Sequence, residues 1–222
     1  YLQDETGNFL LLGGGAYTIP RTLLAEDPAL NIDVVEIEPR LFDLAHTYFE
    51  LPEDPRLRNF VMDARTYLRT TDEYYDVIFA DAFQSGHLIP PHLATREFFT
   101  AIKDRLTPDG VFIANVIGIR GLDEKSLTGS LLKTIQSVFP ELSVYAAQPD
   151  EDHIHNMIIM ARKDNQKIVL PPDFMIDLKN GSSTPASERE RSLAQYHLDK
   201  QVILTDDLAP VELLMAKQIL KY

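Results

Sequence analysis

Phe9-Leu10-Leu11-Leu12-Gly13-Gly14-Gly15, followed by the amphipathic stretch Ala16 to Leu24, decides the fold. The pattern is a buried strand, a tight glycine turn and a helix. Glycines are needed there because the backbone turns sharply and approaches a ligand with no Cβ in the way. A second apolar run, Ile32 to Ile37, carries Glu36 and ends beside Glu38. That is about the separation at which nucleoside-binding folds place the acid that bonds the ribose hydroxyls. Gly13, Gly14, Gly15 and Glu36 therefore make a nucleoside the first ligand to consider.

Working outward, short apolar runs alternate with amphipathic ones. The spacing predicts strands at 9–13, 32–37, 57–62 and 75–81, with helices at 18–26, 40–49, 64–70 and 94–106. This alternation is the signature of parallel strands joined by crossovers. Val77-Ile78-Phe79-Ala80 is apolar on both faces, as a central strand requires. A turn at Thr107-Pro108-Asp109-Gly110 is expected to launch a strand at 111–116, followed by a helix around 126–139. Leu142–Ala147 and Asn156–Arg162 are separated by too few residues for a crossover helix and should be antiparallel neighbours. Beyond Lys163 the pattern changes. Residues 1–163 read as the nucleoside-binding catalytic domain and 164–222 as a C-terminal extension packed on it. The extension closes with Val202-Ile203-Leu204, the acidic turn Thr205-Asp206-Asp207 and a helix from Pro210 to Leu220. Asn180-Gly181-Ser182 matches a glycosylation acceptor but is read as a turn, since no export signal accompanies it.

The chain has 222 residues, no cysteine and a formal charge of −13. The missing cysteines exclude disulfides, zinc–thiolate sites and a cysteine nucleophile. Together with the lack of a signal pattern they point to a cytoplasmic protein. The apolar runs are far shorter than the roughly 20 residues of a membrane-spanning helix. The acidity argues against nucleic-acid partners, whose phosphates demand a basic surface. It suits cationic small molecules, although it also serves solubility.

In an open α/β sheet ligands bind at the carboxyl ends of the strands. Here the residues leaving successive strands are Gly13, Gly14 and Gly15, then Glu36, Ile37 and Glu38, then Asp63 and Ala64, then Asp81-Ala82-Phe83-Gln84. Each acid has a plainer use as well: Asp63 suits a helix cap and Glu38 a helix N-terminus. His87, His92, His153 and His155 are better read as pocket-lining or surface residues than as metal ligands, so no metal is expected. The loop from Gln84 to His92 reads as a gate over the ligand.

Several of these segments together resemble the spermidine synthases and spermidine synthase-like proteins: Leu12-Gly13-Gly14-Gly15, Val34-Val35-Glu36-Ile37-Glu38, Asp54-Pro55-Arg56-Leu57, Asp63-Ala64, Tyr75-Asp76-Val77-Ile78, Asp81, Phe98-Phe99 and Leu106-Thr107-Pro108-Asp109-Gly110. Asp81-Ala82-Phe83 and Leu204-Thr205-Asp206-Asp207-Leu208-Ala209-Pro210-Val211-Glu212 are similar to the bacterial branch often fused to membrane segments. The resemblance implies a Rossmann-like S-adenosylmethionine-dependent methyltransferase fold, a seven-stranded, mostly parallel sheet with an antiparallel last strand, plus the C-terminal extension. It implies that the ribose is bound by Glu36, that the adenine meets Asp63 and Ala64 beside Ile37, and that Asp81 is catalytic and faces the transferred group. The donor would be decarboxylated S-adenosylmethionine or S-adenosylmethionine, and the acceptor a small-molecule amine. No membrane contact is expected from this chain itself. A longer, membrane-anchored parent and a homodimer remain open.

The chain also departs from that pattern. Polyamine-forming members usually carry an aspartate directly after the three glycines, where Ala16 stands, and another three positions past the catalytic one, where Gln84 stands. Gln84, Asp206 and Asp207 are the candidates for the acceptor's side of the pocket, and Tyr17 for the space of the missing aspartate. The expected activity is aminopropyl transfer with poor use of short diamines such as putrescine. Methyl transfer from S-adenosylmethionine and nucleoside binding without catalysis are the alternatives.

Overall fold

A computed structural model describes residues 6–82, 89–118, 126–146, 155–171, 173–177 and 183–219. Strands and helices alternate through the first part of the chain: β1 (Gly7–Leu12), α1 (Thr18–Glu26), β2 (Leu30–Glu36), α2 (Leu41–Tyr48), β3 (Leu57–Val61), α3 (Ala64–Thr70), β4 (Tyr75–Ala80), α4 (Arg96–Arg105), β5 (Leu106–Gly118), α5 (Leu127–Gln136), β6 (Ser143–Ala146) and β7 (His155–Arg162). The tail adds β8 (Met175–Asp177), β9 (Ser183–Pro185), α6 (Ala186–Arg189), β10 (Glu190–Arg191) and α7 (Val211–Ile219). The main sheet has the order β10-β6-β7-β5-β4-β1-β2-β3, and β8 pairs with β9 apart from it.

Strands β1 to β5 are parallel neighbours, whereas β7 runs antiparallel to both β5 and β6. This is the Rossmann-like methyltransferase arrangement. Among the described residues the sheet gains an eighth strand from the tail: Glu190 pairs with Tyr145 and Arg191 with Val144.

Side chains alternate across the central strands, and both faces are covered. Leu10, Leu12, Ile78 and Ala80 face a core shared with Phe98, Phe99, Phe112 and Leu131. Phe9, Leu11, Ile32 and Val34 face a second core with Tyr17, Leu24 and Ala45. That two-sided burial is why these strands read as continuous apolar runs. Helix starts follow capping chemistry: Asp63, Thr95 and Ser126 each accept a backbone N–H from their own first turn. In α1, Pro20 sits in the first turn, where its missing N–H costs nothing.

The expected turn at Thr107–Gly110 is a bulge instead. Tyr75 lies opposite Leu106 and Val77 opposite Val111, so the ladder resumes after 107–110 have looped out of register. Asp76 holds the bulge by accepting from Thr107 Oγ1 at 2.9 Å and from the Asn8 amide at 2.9 Å. The Asp54-Pro55-Arg56 segment also has a structural use. Arg56 pairs with Asp54 and donates to the carbonyls of Leu24 and Asp27, where α1 ends. The Asn180-Gly181-Ser182 segment lies outside the described residues.

A charged residue interrupts the apolar run of β2. Asp33 is buried, only 3% exposed, and accepts from Arg58 at 2.6 and 2.7 Å, from Tyr75 Oη at 2.6 Å and from Tyr67 Oη at 3.1 Å. Burial, reinforced by the hydrogen bond to Asp33, pushes the Tyr75 phenol far up. The network ties β2, β3, β4 and α3 together beneath the strand ends that form the site. Asp33→Ala strips charged acceptors from three donors, so a loss of about 2 to 3 kcal/mol is expected. A lowered urea midpoint with an unchanged slope checks this, and an unmoved midpoint contradicts it.

Candidate active site

The sheet order reverses at β1, which has β2 on one side and β4 on the other. Such a switch point leaves a crevice at the carboxyl ends of the strands. Gly13, Glu36, Met62 and Asp81, which leave the first four strands, open onto one cleft of about 410 Å³ together with Ile37, Asp63, Ala64 and His92.

The glycine turn is built by backbone geometry and by one carboxylate. Gly13 and Gly15 take φ of +99° and +52°, a region costly for side chains with a Cβ. Gly14 is needed for space: a Cβ there would lie 2.6 Å from the ring of Tyr17 packed beneath it. Tyr17 itself is 1% exposed, packs against Phe42 and donates to Asn59 Oδ1 at 2.7 Å. It therefore supports the loop from below and does not fill the cleft, contrary to the expectation from sequence. Glu36 Oε2 accepts the Gly14 amide at 2.8 Å and the Gly15 amide at 3.4 Å, while Oε1 accepts the Glu38 amide at 2.9 Å. The carboxylate is buried, and each oxygen has acceptor capacity beyond these backbone bonds.

Asp63 does two things at once. Oδ1 caps α3 by accepting the Thr66 amide at 2.9 Å, and Oδ2 meets His92 Nε2 at 2.9 Å. Burial pushes its pKa up, but the hydrogen bonds from His92 and Thr66 outweigh that, so the carboxyl lies below its ordinary range. Asp81 lines the cleft beside Ala82 and accepts from Asn115 Nδ2, on β5, at 2.9 Å. Ile37 is 70% exposed and Met62 adds further apolar surface at the cleft. The described lining is largely apolar, its acids are Glu36, Glu38, Asp63 and Asp81, and His92 is its one basic side chain.

The remaining sequence candidates are placed differently. Asp206 is not among the cleft residues: it forms a two-pronged ion pair with Arg65, which holds its carboxyl below the ordinary range. Asp207 is exposed and also outside the lining. Gln84, His87 and most of the presumed gate lie outside the described residues, as does His153. Among the described residues no group of three or more histidines, cysteines and acids stands close enough to hold a metal, and no helix is long and apolar enough to cross a membrane. Sequence reasoning missed Asn115 and Arg65. Neither has a local signal, because each is defined by a partner distant in the chain.

Residues 2–169 match the spermine/spermidine synthase domain. The chain belongs to that family. It is 31% identical to a probable polyamine aminopropyl transferase of Bifidobacterium longum, covering 96% of this chain and 50% of the relative. It is 30% identical to a polyamine aminopropyltransferase of Vibrio vulnificus, covering 92% of this chain and 69% of that one. The chain thus spans half the length of the first of these relatives and 69% of the second. Methyltransferases are similar too: the N-terminal histidine N-methyltransferase of Emericella nidulans is 30% identical over 78% of this chain, which spans 32% of that protein.

Solved structures give the same two groups. A probable spermidine synthase from Corynebacterium glutamicum superposes with a TM-score of 0.61 at 31% identity, over 70% of this chain and 55% of that one. Human methyltransferase-like protein 13 in complex with SAH superposes with a TM-score of 0.62 at 26% identity, over 76% and 77% of the two chains. The chain is therefore a family member on a fold shared by polyamine synthases and methyltransferases.

Glu36 lines the cleft and holds the glycine loop, so its removal should be felt by any nucleoside bound there. Glu36→Ala is expected to weaken methylthioadenosine binding by about 1.5 to 3 kcal/mol, the range for a hydrogen bond to a charged group. Titration calorimetry measures it; unchanged affinity would remove Glu36 from the site.

Proposed function

We propose that the cleft takes an adenosyl sulfonium donor and that the protein transfers an aminopropyl group from decarboxylated S-adenosylmethionine to an amine. The observation that carries this reading is the charge of the cleft, whose described lining has four carboxylates and no lysine or arginine. Decarboxylated S-adenosylmethionine presents a sulfonium and an ammonium with no carboxylate of its own, and an acidic cleft attracts such a dication. In this reading the ribose hydroxyls meet the free lone pairs of Glu36. The adenine lies between the apolar surface of Ile37 and the Asp63–Ala64 turn, and the aminopropyl arm points towards Asp81.

The chemistry asks little of the leaving group. The acceptor nitrogen attacks the carbon bonded to sulfur, a C–N bond forms, the C–S pair returns to sulfur, and methylthioadenosine departs as a neutral thioether. The difficult part is the nucleophile, since an alkylamine with a pKa of about 10.4 is almost wholly protonated at neutral pH. Asp81 is assigned the role of anchoring that amine and accepting its proton. The hydrogen bond from Asn115 Nδ2 orients this carboxylate at the cleft.

A second reading, methyl transfer from S-adenosylmethionine, is favoured by Ala16, which offers no carboxylate for the donor's ammonium, and by the methyltransferases among the relatives. Calorimetric titration with the two donors separates the readings: tighter binding of the decarboxylated form supports aminopropyl transfer, and tighter binding of the intact form supports methyl transfer. Binding of either without turnover on any amine would leave a nucleoside-binding domain. If aminopropyl transfer is the activity, Asp81→Asn should lower kcat by about a hundredfold or more with donor affinity retained. Near-normal turnover would move the role to another carboxylate.

A further inference from the structure

The acidic turn near the end of the chain does not reach the cleft, yet it is fastened to the cleft's wall. Thr205 and Leu208 close the turn with reciprocal backbone hydrogen bonds of 3.0 Å. The Asp206 amide donates to Glu97 Oε2 at 3.0 Å, and the neighbouring Leu204 carbonyl accepts the Arg96 amide at 2.8 Å, both on α4. The Leu204 amide donates to Thr134 Oγ1, on α5, at 2.8 Å. The Asp206 carboxylate faces the other way, towards α3, and grips Arg65 with both oxygens, Oδ1 lying 2.7 Å from Nη1.

Arg65 stands between Ala64 of the cleft wall and Thr66, whose amide binds Asp63. Its Nη1 also donates to the His92 carbonyl at 3.3 Å, while the His92 ring meets Asp63. An arginine two residues from Asp63 has a ready alternative partner in that carboxylate, and the two already attract one another. A guanidinium carries five N–H donors and favours two-pronged carboxylate pairing. Released from Asp206, Arg65 still feels the attraction of Glu97 and of Asp63, and a pair with Asp63 would compete with the His92 contact and the α3 cap.

We propose that Asp206 is a positioning residue for the cleft: it sequesters Arg65, so that Asp63 and His92 keep the arrangement that receives the adenosyl group. The role of Asp63 towards a nucleoside rests on the function proposed above; the sequestration itself does not. Asp206 and Arg65 are both partly exposed, so their substitution leaves the two cores intact.

The test compares the wild type, Asp206→Ala, Arg65→Met and the double variant by two readouts. The first needs no ligand: hydrogen exchange at the Thr66 amide, which Asp63 caps. Exchange should quicken in Asp206→Ala and return towards the wild-type rate in the double variant, because the liberated guanidinium is then gone. The second is methylthioadenosine affinity, expected to fall about fivefold in Asp206→Ala, within the span of ordinary coupling between sites, and to recover in part in the double variant. A merely structural tie would make the double variant no better than the single one. Unchanged Thr66 exchange in Asp206→Ala, or a double variant no better than Asp206→Ala, overturns the proposal. If the wild type fails to bind methylthioadenosine, the adenosyl reading falls and the exchange rates alone decide the role of Asp206.

Discussion

The carboxylate of Glu36 is the interaction on which the site depends. It is carried by the last residue of β2, yet it is spent on the turn after β1, where it accepts the amides of Gly14 and Gly15. Backbone N–H groups of a tight turn have few partners within their own segment, and an unmet buried donor is costly. One side chain therefore fixes two strand ends relative to one another, and its second oxygen fixes the Glu38 amide as the chain leaves β2. A ligand bound on Glu36 would bind to a carboxylate already held in place, so little ordering would remain to be done on binding.

The rest of the molecule keeps that junction rigid. Below it, Asp33 and its three donors join β2, β3, β4 and α3. Tyr17 fills the space under Gly14, which is why the loop tolerates no Cβ there. On the far side, Asp81 hangs from the end of β4, whose ladder with β1 continues through the hydrogen bond from the Asp81 amide to the Leu12 carbonyl at 2.9 Å. The tail contributes by covering: Tyr196, Leu204, Val211 and Leu214 complete the core on the α4 and α5 side.

Much of this was legible in the sequence, and the parts that were not share a cause. Helices α1 and α3 begin and end where the pattern puts them: α1 follows Tyr17 and gives way at Asp27, and α3 is capped by Asp63 and gives way at Thr71. The order of strands and the acids at their ends follow from local periodicity and from turn chemistry. The Thr107–Gly110 segment has turn composition but lies opposite Asp76, and only the pairing partner reveals that the strand continues through it. Strand β10 is two residues long and charged, so nothing in its composition announces an edge strand. Asp206 carries a motif that reads equally as a pocket acid or a helix-start turn; its partner Arg65 lies 141 residues away, beyond the reach of any local pattern. Asp33 did leave a signal, a charge within an otherwise apolar run, and such a charge calls for buried partners.

The central claim is that Glu36 serves the glycine loop and the ribose at the same time, and the structure of the protein with methylthioadenosine bound tests it most directly. Both ribose hydroxyls are expected within hydrogen-bond distance of the Glu36 carboxylate, with the bond from the Gly14 amide still in place. A ribose bound elsewhere, or a Glu36 that must leave the glycine loop to reach it, would contradict the account.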